Sequence, residues 1–229
     1  MPLTYEPYSD QVKVWPKAGR HILAQYDEDT LFVYQAYNPA IGRYAAEHTR
    51  FGGEFSYSRM SWVKPNFLWM MYRSGWGTKE NQEVTLGLRV RRAFFDSLLT
   101  AAVPSSWARE QYATREEWSR AVGRSSMRLQ WDPDHHPLGA KLDRRAIQLG
   151  LRGAVLEAFG TRELLEVIDL SEYVAEQRTN LASKGVSGLL TPRERVYTPV
   201  DAAIAATLRL DTQTEPTAAD TLPHAEESR

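Results

Sequence analysis

Residues 59–78 read RMSWVKPNFLWMMYRSGWGT, and this stretch decides the fold because it contains a strand, a junction and a helix in twenty residues. EFSYSRMSWV (54–63) alternates well enough for a strand. Pro65 suits a first helical turn, NFLWMMYR is long enough for about two turns, and Gly75 and Gly77 stop it. Lys64 therefore sits at a strand-to-helix junction. The composition is as telling as the pattern, since three Trp, one Lys and two Arg interrupt a core-like run. A segment wanted only for packing would be aliphatic. Indole and guanidinium planes beside Met70 and Met71 make a surface suited to stacking a base and holding a phosphate.

Upstream, HILAQY and TLFVYQAY flank the polar turn Asp27-Glu28-Asp29 and predict a hairpin. Asn38-Pro39 opens a short helix over AIGRYAAEH, which Gly52-Gly53 follows. Downstream, EVTLGLRV alternates as a strand and RRAFFDSLLTAAV presents one apolar helical face. Thr114 and Glu117 form a capping-box pattern, and SSMRLQW reads as a strand that delivers the chain into a polar turn, Asp132 to Pro137. LDRRAIQLGLRGAVLEAF predicts a helix carrying Arg144, Arg145 and Arg152, while LLEVIDL fits a strand or a helical turn. Together these elements predict an α+β fold, a curved and mainly antiparallel sheet flanked by helices. The expected organisation is an N-terminal arm (1–19), a catalytic-type domain (20–180), a C-terminal extension (181–210) and a loosely ordered acidic tail (211–229).

Bulk properties exclude several classes. With 28 basic and 29 acidic side chains among 229 residues, no global field favours non-specific nucleic-acid binding, so such a contact must be local. The absence of cysteine rules out disulfides, thiolate nucleophiles and Cys-based zinc sites. Neither a basic-then-apolar leader nor a membrane-length apolar run is present, and a cytoplasmic protein is expected.

WVKPNFLWMMYRSGWG, with VYQAY before it and QWDPDH and RRAIQLGLRG after it, resembles an uncharacterised microbial domain-of-unknown-function family, number four-two-nine-one. The resemblance spans roughly residues 18–175 and implies relatives without implying a reaction. The order of elements is also similar to the core of ADP-ribosyltransferases. That resemblance implies NAD as cofactor, with Tyr34 or Gln35 (and Arg20 upstream) at the nicotinamide ribose. It implies Tyr57 or Trp62 stacking the nicotinamide, and Glu83 orienting the reacting sugar.

The residues themselves support three readings. In the first, the Glu83 carboxylate stabilises an oxocarbenium-like transition state as NAD loses nicotinamide, Arg59 and Arg73 clamp the pyrophosphate, Trp76 adds a stacking plane, and the acceptor is a nucleotide or nucleic acid. The bland alternative makes Glu83 a solvated residue ahead of a strand. In the second, Lys64, desolvated by Trp62, Phe67 and Trp69, attacks the α-phosphate of ATP with magnesium present, as a nucleotidyltransferase or RNA ligase would. Otherwise it is a lysine snorkelling past aromatic rings. The third is a non-catalytic nucleic-acid-binding module. Asp132, Asp134, His135 and His136 raise metal binding, but an Asx-turn is favoured by their spacing, and Asp132 and His135 are candidates for acceptor contact together with Asp134, Arg145 and Gln148. His21 and His48 are read as structural.

Overall fold

The computed structural model describes residues 1–211, and the expected acidic tail lies, from residue 212 on, outside them. The chain opens with β1 (Tyr5–Pro7) and α1 (Tyr8–Val14), passes through β2 (Gly19–Arg20), β3 (Ile22–Ala24) and β4 (Thr30–Tyr37), and turns into α2 (Pro39–His48). Next, β5 (Ser61–Val63) leads into α3 (Phe67–Ser74) and β6 (Val84–Arg91) into α4 (Arg92–Ala101). After β7 (Val103–Pro104) and α5 (Arg115–Arg124) come two long strands, β8 (Met127–His135) and β9 (Lys141–Leu151). Then follow α6 (Gly153–Ala158), β10 (Leu164–Asp169), α7 (Ser171–Lys184), β11 (Leu190–Pro192), β12 (Arg195–Tyr197) and α8 (Ala202–Leu208).

Two sheets make the α+β frame. One is antiparallel in the order β10-β6-β4; the other runs β2-β9-β8-β7, with β5 also on β9. Among the described residues only the short β2–β9 and β7–β8 pairings are parallel. Both faces of β4 are covered, which is why TLFVYQAY is apolar almost throughout. Leu31 and Val33 join one core with Leu86, Leu88, Ile147 and Leu149. Phe32 and Tyr34 point the other way, into a second core with Phe67, Met71, Leu170 and Val174. The expected hairpin closes through the Tyr26–Leu31 bridge, with Asp27 accepting from the Asp29 and Thr30 N–H groups. The segments expected as an arm and an extension meet, because β1 pairs with β11.

Several local expectations are corrected. LDRRAIQLGLRGAVLEAF is not one helix: residues up to Leu151 form β9, and helix begins only at Gly153, α-helical to Ala158 and continuing as a π turn over Phe159–Glu163. Ile147, Leu149 and Leu151 alternate into the core, a period-two signal that the helix-like spacing of the arginines masks. Arg144, Arg145 and Arg152 accordingly share no helix. Of EFSYSRMSWV only Ser61–Val63 is strand, since Phe55 and Tyr57 turn inward to pack on Phe51 and on one another. Asp132 to His135 belong to β8, and the turn lies at residues 136–140, closed by His136 and Ala140. Pro65 precedes the helix rather than entering it, because Asn66 is the N-cap and accepts from the Trp69 N–H at 2.6 Å. LLEVIDL resolves as β10, and the Thr114–Glu117 capping box is present.

Candidate functional site

The two sheets, packed over a common core, are also joined by main-chain hydrogen bonds at the junction after β5. Lys64 and Tyr34 exchange main-chain hydrogen bonds, 2.6 Å and 3.2 Å, so β4 of one sheet fixes the residue that follows β5 of the other. Two residues on, Asn66 starts α3, and Gly75 ends it in a left-handed cap with φ 59°. This rigid strand-to-helix corner directs the Lys64 side chain into a cavity of about 700 Å³, more than twice the volume of a 320 Å³ cleft beside it.

Lys64 is 4% exposed, and its Nζ has no hydrogen-bond or ion-pair partner among the described residues. Burial pushes its pKa down to about 8, and the charge of Arg73 acts in the same direction while Asp132 opposes it. Arg59 and Arg73 line the same cavity from exposed positions, and none of the ion pairs among the described residues involves either. Three cations thus converge on one space without a carboxylate bound to any of them. Such a space attracts an anion.

The opposite wall comes from β8 and β9. Gln130 and Gln148 are register partners, and each donates its amide to Asp132, at 2.8 Å and 2.7 Å. Both carboxylate oxygens are therefore engaged, and Asp132 is held in a fixed orientation. Trp62 lies over Gly150, where an added Cβ would come within 3.0 Å of the indole, so a side chain there would displace a cavity wall. Gln35 donates to Ser61 Oγ and the Trp62 carbonyl, but its Oε1 and the Nε1 of neighbouring Trp69 are buried with no partner. Both residues line the cavity, so an acceptor and a donor stand ready where a ligand would lie.

Of the residues singled out from sequence, the fold therefore gathers Gln35, Arg59, Trp62, Lys64, Arg73, Asp132 and Gln148 around one space. It does not bring the others there. Tyr34 is fully buried in the second core, edge-on to Phe67, and burial raises its hydroxyl pKa. Tyr57 donates to the Phe51 carbonyl and covers Gly160. Trp76 donates to the Pro137 carbonyl and packs on Phe67 as a latch behind α3. Glu83 is exposed and accepts from the Asn81 N–H, capping its own loop. Arg145 is itself exposed, toward the outer end of the β9 face that carries Ile147 and Leu149, and lines the neighbouring cleft.

Asp132, Asp134 and His135 also part company. Asp134 pairs with Arg144 at 2.6 Å, both side chains at most 5% exposed, and Arg144 reaches on to the Pro16 carbonyl and the Trp15 ring. His135 is stacked against Tyr72 with 3.5 Å between ring centroids, and burial lowers its pKa. The DPDHH run therefore divides between the cavity and the interior.

Two contributors carry no sequence signal. Gln130 gives no motif, and its role depends on a cross-strand partner eighteen residues away in the chain. Glu194 is 1% exposed and accepts from Phe67 N at 2.6 Å and Asn66 Nδ2 at 3.1 Å, fixing the start of α3 beside Lys64. Burial raises its pKa well above the usual carboxylate range. No local pattern connects Glu194 with Asn66, because the contact spans 128 residues.

A family model described as "Domain of unknown function (DUF4291)" matches residues 21–197. The chain belongs to this family. The DUF4291 region takes in β3 through β12 and contains every residue that lines the Lys64 cavity. It extends past the 18–175 span of the resemblance, far enough to include Glu194. No curated protein matches the chain. The family description carries no activity, and no helix among the described residues is long and apolar enough to cross a membrane.

Proposed function

We propose that the DUF4291 domain is a nucleotide-utilising transferase in which the Lys64 cavity holds the phosphates and Lys64 is the nucleophile. The observation that carries this reading is the buried side chain of Lys64 lining one cavity with Arg59 and Arg73, none of the three in an ion pair among the described residues. A lysine with pKa about 8 is neutral in roughly one molecule in ten at pH 7, far more than an ordinary lysine, and attack uses that neutral form. The neutral Nζ would attack the α-phosphorus of ATP, forming a P–N bond as the bond to the bridging oxygen breaks and pyrophosphate leaves. The proton lost from nitrogen passes to solvent, and magnesium accompanies the triphosphate as part of the substrate. Arg59 and Arg73 would offset the charge gathering on the leaving group. An acceptor hydroxyl then attacks phosphorus, the P–N bond breaks, and the amine regains a proton.

A second reading, transfer of ADP-ribose from NAD, is favoured by one observation. Asp132 is a carboxylate oriented by two amides inside the cavity, whereas Glu83 is outside it. In that reading Asp132, not Glu83, would hold the ribose hydroxyls. Intact-mass analysis after incubation with ATP and magnesium, and separately with NAD, tests both. An AMP-sized adduct absent from Lys64→Ala supports the first; nicotinamide release without an adduct, lost in Asp132→Asn, transfers support to the second. Neither product would leave a non-catalytic binding module and overturn both.

A further inference from the structure

A cleft of about 320 Å³ opens beside the Lys64 cavity, and Gln130 lines both. Arg20 and Arg145 lie on its rim as register partners of the parallel β2–β9 pair. Like charges directly opposite one another repel, and no ion pair among the described residues involves either. Asp211 is spent on the main chain here, accepting from the Arg20 N–H. Arg209 adds a third guanidinium, reached by Glu110 only at 3.9 Å. Trp107 and Trp131 form aromatic walls, and Arg109 and Arg115 hold their guanidinium carbons 4.9 Å and 4.8 Å from the Trp107 ring.

This combination is not a solvated helix face balanced by internal salt bridges. The chain as a whole carries a formal charge of -1, yet here three guanidinium groups and two indoles line one cleft with a single carboxylate, Glu110, while Asp211 is bound to the Arg20 main chain at its edge. Unpaired guanidinium groups beside aromatic planes are the elements that bind a sugar-phosphate backbone with unstacked bases.

We propose that this cleft binds single-stranded nucleic acid, with Arg20 and Arg145 on backbone phosphates and Trp107 and Trp131 against bases. The cleft and the Lys64 cavity lie on opposite faces of β8 and share Gln130, so a strand end would have to round that residue to reach Lys64, a direction that rests on the transferase reading, since the end is then the acceptor. The shape of the cleft favours a single strand, because it is recessed between α8, the 104–111 loop and β8 and presents rings rather than a flat basic surface.

The test is fluorescence anisotropy of a short fluorescein-labelled single-stranded RNA with the full chain over a range of sodium chloride concentrations. Binding should weaken with salt. Arg20→Glu with Arg145→Glu should reduce affinity about tenfold or more and flatten the salt slope by about 0.7 for each phosphate that is no longer neutralised. Trp107→Ala should weaken binding with the slope unchanged, as stacking carries no counterions. Arg20→Gln with Arg145→Gln, checked by melting temperature, gives the same direction should the charge reversal impair folding. Undetectable binding at low salt, unchanged affinity in both arginine pairs, or equal displacement by polyglutamate would overturn the proposal. An ATP-derived adduct without RNA binding would sink this cleft and spare the Lys64 reading; RNA binding without any adduct would do the reverse.

Discussion

Lys64 and Asn66 are two residues apart, yet they belong to opposite kinds of polar environment. On the Asn66 side the buried groups have partners: Glu194 accepts from Asn66 and Phe67, Gln11 bonds Thr191, Pro192 and Glu194, and the Trp15 indole donates to the Glu194 carbonyl. On the Lys64 side the Trp69 indole N–H and the Gln35 side-chain carbonyl have none among the described residues, and no ion pair there involves the Lys64 amine. Satisfied burial of this kind orders a fold; unsatisfied burial costs stability wherever it occurs, as at Tyr34, Thr85 and His135 in the interior, and it is at Gln35 and Trp69 that the orphan atoms belong to residues lining a cavity. On β8 both carboxylates are held, Asp134 by the buried Arg144 and Asp132 by the amides of Gln130 and Gln148, and only Asp132 faces the cavity.

Removing a partner from the satisfied side should have the largest effect. Asp134→Ala leaves the Arg144 guanidinium buried without its carboxylate and should cost about 3–5 kcal/mol in urea unfolding. A loss below about 1 kcal/mol would mean that the ion pair is as dispensable as a surface one.

Lys64→Met should act in the opposite direction. The folded-state pKa of Lys64 is about 8 against 10.5 in its ordinary state, so below pH 8 the folded chain bears a buried ammonium that unfolding would relieve. Stability linked to this group therefore rises as pH climbs from 8 to 10.5 and is lost as pH falls back through that window. The methionine variant should be more stable at pH 7 by about 2–3 kcal/mol, with the gain fading toward pH 10, while adduct formation disappears. In the wild type, adduct formation should rise between pH 7 and 9, roughly as the amine loses its proton. A variant less stable at pH 7, or a rate falling with pH, would sink Lys64 as an unpaired nucleophile.

Arg59→Gln and Arg73→Gln remove exposed cations and should hardly move the melting temperature. Each should weaken ATP–magnesium binding about tenfold in calorimetry, roughly 1.4 kcal/mol. Equal affinity in both variants would show that the phosphates lie elsewhere.

How far these features are legible in sequence follows the range of the interactions. The β5–α3 corner and its cations are readable because strand alternation, an N-cap and closing glycines all lie within twenty residues. β9 reads as a helix because its two faces are both partly polar, and the arginines at helical spacing outweigh the alternating signal of Ile147, Leu149 and Leu151. The Gln130–Asp132–Gln148 clamp and the Glu194 anchor are products of pairing across the fold, and no composition or period encodes a partner so distant.

Glu83→Gln gives the smallest expected effect and tests that same boundary between local pattern and assembled site. In the sequence Glu83 stands at the head of a strand, where a ribose-binding carboxylate would be placed. In the fold its Oε1 accepts the Asn81 N–H at 2.9 Å, supporting a residue at φ 62°, and its side chain is exposed. A glutamine keeps an oxygen in position for that N–H, so stability should change by less than about 0.5 kcal/mol. Neither an ATP-derived adduct nor nicotinamide release should fall. A loss of either at unchanged melting temperature would mean that an exposed carboxylate capping its own loop outranks the unsatisfied groups around Lys64, and the contrast between the two sides of the corner would no longer locate the site.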